Sequence, residues 1–128
     1  MTNPANSLLD RDNLNLVLDN LKQGVIAHTP DRIITVFNKE AEKITGYSKQ
    51  EVLGKDCHQV FGTPFCGTRC SFCSDTPVFF PDTREYPVTF VTRGGDTRQL
   101  EMTVSGVIDN QGTFKGVIAS FRDLTDSI

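Results

Sequence analysis

The four cysteines of this chain, Cys57, Cys66, Cys70 and Cys73, crowd into one stretch with the spacing C-x8-C-x3-C-x2-C. Four thiolates so placed can close a tetrahedral zinc site or ligate an iron–sulfur cluster, because soft sulfur suits both. From Gly62 to Ser74 the main apolar anchors are Phe65 and Phe72, among Gly, Thr, Pro and Ser. Ordering that segment costs on the order of 13–26 kcal/mol in backbone entropy. One disulfide contributes only about 2–4 kcal/mol against this, whereas a structural zinc contributes roughly 10–16 kcal/mol in peptides. A metal or cluster on these four residues is therefore the first expectation. Unligated thiols in an insertion, or a disulfide or thiol switch with Cys70 and Cys73 as the nearest pair, stay open. Only one C-x2-C knuckle is present, where structural zinc usually shows two.

The elements that would position this segment follow from periodicity and punctuation. Leu14, Val17, Leu18 and Leu21 recur at helical spacing within a helix expected from Leu8 to Leu21, amphipathic and ended near Gly24. GVIAHT reads as a short strand, turned at Pro30-Asp31 into a second strand from Arg32 to Phe37. Asn38 is a good N-cap for a helix that stops at Gly46. Ser48-Lys-Gln-Glu51 matches a capping box for a second short helix ended by Gly54.

Beyond the cysteines the pattern turns to antiparallel strands: Tyr86 to Arg93, Thr97 to Ile108, and Phe114 to Arg122, with turns at Gly94-Gly95-Asp96 and at Asp109 to Gly112. Leu100, Met102 and Val104 alternate with polar neighbours. The last strand is apolar on both faces, with Ile118 on one and Val117, Ala119 and Phe121 on the other. The N-terminal helix or a partner chain is expected to cover its outer face.

This order resembles a PAS sensor domain of the kind found in bacterial histidine kinases and sigma-54-dependent transcription regulators. The resemblance rests on Phe37-Asn38-Lys39-Glu40-Ala41, Thr45-Gly46-Tyr47-Ser48, Leu53-Gly54-Lys55 and the terminal Asp123-Leu124-Thr125. It implies an α+β fold: a five-stranded antiparallel sheet with helices on one face plus the N-terminal amphipathic helix. It divides the chain into a polar segment 1–13, a PAS domain 14–126 carrying a Cys-rich insertion 57–84, and 127–128 opening a linker to an output domain. It implies a ligand pocket facing Leu100, Met102, Val104 and Ile118, and a signal relay through Asp123 and Thr125.

Gly54-Lys-Asp-Cys57-His-Gln is also similar to the flavin-binding motif of LOV domains, a PAS subgroup. Asp56 and His58 replace that subgroup's Asn and Arg, and Ile118 is expected where it uses a Gln. Flavin is therefore not expected. Haem, for which His58 is the nearest candidate ligand, is not expected either, and His28 reads as structural.

A chain of 128 residues with net charge −3 suits one globular domain and offers no basic footprint for nucleic acid. No apolar run is long enough to span a bilayer, and the first residues lack the marks of a signal peptide. No phosphate-binding glycine loop or nucleophile elbow is present. The expectation is a non-enzymatic cytoplasmic sensor, homodimeric, without membrane contact, that relays redox state, oxygen or metal through its cysteines. The implied effector is a histidine kinase or sigma-54 activator type of domain, C-terminal to this one. A cofactor-free dimerisation module and a small-molecule receptor are the alternatives.

Overall fold

Local signals set where most elements start and stop. The computed structural model describes residues 11–61 and 84–124. In chain order the elements are α1 (Arg11–Asp19), β1 (Gly24–His28), β2 (Ile34–Phe37), α2 (Lys39–Thr45) and α3 (Lys49–Val52). They continue with α4 (Cys57–Val60), β3 (Arg84–Val91), β4 (Thr97–Ile108) and β5 (Phe114–Asp123). Asn38 caps α2 through its side chain, and Gly46 closes it at φ 81°, in the left-handed region where a Cβ is disfavoured. Ser48 and Glu51 form the full reciprocal capping box of α3. The described helices are all too short to cross a membrane.

The strands make one antiparallel sheet in the order β2-β1-β5-β4-β3, so the last strand is the central one. Helices α2 to α4 add Ala41, Ile44, Val52 and Cys57 to a core shared with the inner sheet face. Phe61, just after α4, is the aromatic hub of that core. Its ring lies 5.0 Å from Tyr47 and 5.8 Å from Phe90, both edge to face, and 6.5 Å from Phe37. Such pairs contribute about 0.5–1.5 kcal/mol each beyond the area they bury.

Two expected strand limits shift. The second strand was expected from Arg32, but Arg32 sits at φ 67° in the turn, its amide bonded to the Thr29 carbonyl, and β2 starts at Ile34. The strand expected over Tyr86 to Arg93 runs from Arg84 to Val91. Thr92 instead closes the turn with Gly95 and Asp96, and the Arg93 amide reaches across to Thr45.

Three larger expectations change as well. Ile118 does not share a face with Leu100, Met102 and Val104. Met102 stands opposite Phe121 and Val104 opposite Ala119, whereas Ile118 stands opposite Ser105 and is 38% exposed. Side chains alternate along a strand, so the pairing register decides which set joins the core. Secondly, α1 does not cover Ile118. It lies beside β2, where Leu14, Leu18, Val36, Phe37 and Leu53 line a groove of about 620 Å³. Thirdly, Cys57 and Phe61, at the start of the stretch expected as an insertion, are core residues. Residues 62–83 lie outside the described residues, as do 1–10 and 125–128.

Asn38 joins the layers. It is 2% exposed, and its side-chain oxygen accepts from the amides of Val25 (2.8 Å) and Ala41 (3.0 Å). Its amide nitrogen donates to the carbonyls of Leu18 (2.7 Å) and Gln23 (3.0 Å). One side chain thus ties α1, the following loop, β1 and α2. Asn38→Ala is expected to lower the unfolding free energy by about 2–4 kcal/mol, read from urea denaturation, since it strands two buried amides and two part-buried carbonyls. Asn38→Asp keeps both accepting bonds and loses both donors. If Asp costs almost nothing, the residue is only a helix cap.

Candidate functional site

Polar side chains gather at two places among the described residues: the helical layer over the core, and the end of β5. The second is built by the sheet itself. Arg98 pairs in register with Phe90, and Asp123 with Leu100. Both charged residues therefore sit on the core-facing side at one end of the sheet. The Arg98 guanidinium donates to Asp123 Oδ2 at 3.2 Å, and the Leu124 amide donates to the Gln99 carbonyl at 2.7 Å. The Asp123 side chain is only 19% exposed, so this pair is less screened than a surface one. Beside it, on the outer face, Arg122 makes an exposed fork to Glu101 Oε1 at 3.1 and 2.7 Å.

On the helical side, Ile33, Tyr47, Glu51, Gly54, Lys55, Asp56, Gln59 and Val60 line an open cleft of about 640 Å³. Its floor is a short extra ladder. The Cys57 amide donates to the Arg32 carbonyl (2.8 Å), Ile34 to Lys55 (2.9 Å), and Gly54 to Ile34 (2.9 Å). Arg32 holds Asp56 at 3.3 Å, so the carboxylate that departs from the flavin motif has an ion-pair partner inside the fold. Cys57 itself is 6% exposed, within the apolar core.

The sequence-derived sites map unevenly onto this frame. Leu100 and Met102 are fully buried in the core and Val104 packs against it, while Ile118 lies on the opposite face. Val117 and Ala119, which flank Ile118, lie on the inner face, so Ile118 does not face the interior as a flavin-contacting residue would. Cys66, Cys70, Cys73 and Thr125 fall outside the described residues, and of the four cysteines only Cys57 is described. Among the described residues no group of three or more His, Cys, Asp or Glu is placed to hold a metal ion. His58 lies on α4. His28 lies on β1 with Nδ1 2.8 Å from the Thr29 carbonyl oxygen.

Comparison with known proteins bears on the whole arrangement. A family profile described as PAS domain matches residues 22–126. The chain belongs to the PAS domain family. It is 30% identical over 134 aligned residues to the signal transduction histidine-protein kinase AtoS of Escherichia coli (strain K12), covering 98% of this chain and 20% of the kinase. The chain thus spans about a fifth of that relative. Among solved structures, a PAS domain from Colwellia psychrerythraea superposes with a TM-score of 0.71 at 15% identity, over 90% of this chain and 97% of that one. The PAS domain of nitrogen regulation protein NR(II) from Vibrio parahaemolyticus gives 0.62 at 16%, over 86% and 96%. These two show the fold.

Some features of this PAS domain carry no local sequence signal. Arg93 Nε donates to Glu51 Oε2 at 2.6 Å across a long sequence gap, and Arg98 reaches Asp123 in the same way. Gly116, at φ 142°, lets β5 pass so near β1 that a Cβ there would overlap the His28 carbonyl. A lone Gly inside a strand pattern hints at such an approach, without naming the partner.

The Ser48 amide, with help from Arg93, holds the Glu51 carboxyl below its usual range. A group whose folded-state pKa is lowered contributes stability above its unfolded pKa, and that contribution fades as pH falls through the folded value. The stability difference between wild type and Glu51→Gln, followed by urea midpoints, should therefore be constant near neutrality and shrink on acidification. A difference unchanged in acid contradicts the assignment. Separately, with Cys66, Cys70 and Cys73 replaced by Ser, native Cys57 should react with iodoacetamide at least about tenfold slower than in urea, because only opening exposes it. Equal rates would place its thiol outside the core.

Proposed function

We propose that this PAS domain is a cytoplasmic, non-catalytic sensor that relays changes in its helical layer to an effector through the end of β5. The observation that carries this reading is the position of β5. It is the central strand, bonded to β1 on one side and β4 on the other, and its inner residues Val117, Ala119 and Phe121 form part of the core. A repacked core therefore moves the strand that ends at Asp123. By likeness to AtoS, the effector is of the histidine-kinase type, and a sigma-54 activator is the related alternative.

Dimerisation belongs to the same reading. Leu14, Val17 and Leu21 are exposed on or just beyond α1 at the spacing of a coiled-coil seam, which a second copy of the helix would cover. Sulfur chemistry also belongs to it. Cys57 opens α4, the helix that leads to Phe61, and is buried in the core, so ligation or oxidation at its thiol would act directly on that core. Zinc or an iron–sulfur cluster shared with Cys66, Cys70 and Cys73 is the form this proposal takes.

The relay is tested by joining the domain, through residue 128, to a dimeric histidine-kinase core. Asp123→Ala is expected to change basal autophosphorylation by about fivefold or more, the lower range of measured couplings between sites. Arg122→Ala, which breaks only the exposed pair on the outer face, should leave it near wild type. Unchanged activity in a folded Asp123→Ala fusion would remove Asp123 from the relay.

A further inference from the structure

The turn between β3 and β4 touches both ends of the proposed relay. At one end Arg93 is held twice by the helical layer: its amide donates to the Thr45 carbonyl at the end of α2 (2.9 Å), and its Nε donates to Glu51 of α3 (2.6 Å). Glu51 in turn accepts from the Ser48 amide at 2.8 Å, and Glu42 of α2 accepts from the Lys49 amide at 2.7 Å. The ends of α2 and α3 are therefore locked to each other and to Arg93. At the other end, a few residues later, Arg98 and Gln99 hold Asp123 and Leu124.

The connection between the two ends is stiff. Thr92 accepts from the Gly95 amide through its carbonyl and from the Asp96 amide through its hydroxyl, and its own amide donates to the Asp96 carbonyl at 2.7 Å. A turn closed by three bonds transmits a displacement instead of absorbing it in its own dihedrals. Lys43, Ile44, Gly46, Arg93, Asp96 and Arg98 line a cleft of about 360 Å³ where this turn meets the end of α2.

We infer that the β3–β4 turn is a strut, with Arg93 and Arg98 as positioning residues, through which the ends of α2 and α3 set the conformation of the exit at Asp123 and Leu124. The inference rests on the relay reading above and adds a second path to it. Displacement reaches the exit along β5 from the core, and across the turn from Glu51. The turn gives Arg93 and Glu51 a route to Asp123 that does not pass through the core, by way of Arg98 and Gln99.

Amide hydrogen exchange on the full chain tests this without an effector. Arg93→Ala is expected to speed exchange at the Leu124 amide by about two- to fivefold, the range that loss of an exposed ion pair allows. The Val25 amide, held by Asn38 in the core, should keep its wild-type rate. Glu51→Gln preserves the capping box, because Gln also serves at that position, and should act in the same direction. The double variant should exceed Arg93→Ala alone by nothing measurable, since both break one link. Lys43→Ala, which removes an exposed pair with Glu40 bordering the same cleft, should leave Leu124 unmoved.

A Leu124 rate unchanged in Arg93→Ala, or rising in step with Val25, overturns the strut. So does an equal response to Lys43→Ala. The kinase fusion reads Asp123 directly, so the relay can stand where the strut fails, and the strut can stand where the kinase is indifferent.

Discussion

The fold depends on a buried amide side chain that leaves none of its hydrogen-bonding capacity unused. Asn38 accepts two backbone amides and donates to two backbone carbonyls, drawn from α1, the loop after it, β1 and α2. An amide group taken out of water costs several kcal/mol when unpaired, and little when every lone pair and proton is matched. The geometry that matches all four leaves little freedom in how α1 and α2 meet the edge of the sheet. Asp19 reinforces it from α1, accepting from the Lys39 amide at 2.9 Å and lying 3.9 Å from Lys49. The entry helix is thereby registered against the helical layer before any partner is considered.

Around that joint the sheet is arranged so that its last strand lies in the middle. Central placement gives β5 two hydrogen-bonded neighbours, its inner residues join the core that also holds Phe61, and its register with β4 puts Asp123 on the core-facing side. Such crowding requires glycine at particular points. Gly24 makes room for the Phe121 ring, and Gly116 makes room for the His28 carbonyl. These glycines reflect the close approach of β1 and β5, and through it the strand order. The exit is thus bound to the core by geometry as well as by its ion pair.

Local chemistry was readable in advance. Asn38, Gly46 and the Ser48–Glu51 box mark helix ends through bonds that close within a few residues, so the residues alone announce them. The β4 limits and the two β-turns were legible for the same reason. Arg32 was not, since no Gly or Asn announces its left-handed backbone and its ion-pair partner Asp56 lies far along the chain. Nor was the buried place of Cys57, because burial depends on the separate elements that meet around it.

From the sequence alone came the family, the order of helices and strands, the alternation within each strand, and the residues that end the helices. These are properties of neighbours in the chain, with periods of two or 3.6 residues. Tertiary structure alone decided which alternating set of β5 faces the core, sending Ile118 outward and Val117, Ala119 and Phe121 inward. It also decided that α1 lies beside β2, and that Arg93 pairs with Glu51 and Arg98 with Asp123. The physical reason is common to all three. Register and long-range ion pairs depend on how separate segments meet, and no single segment contains that information.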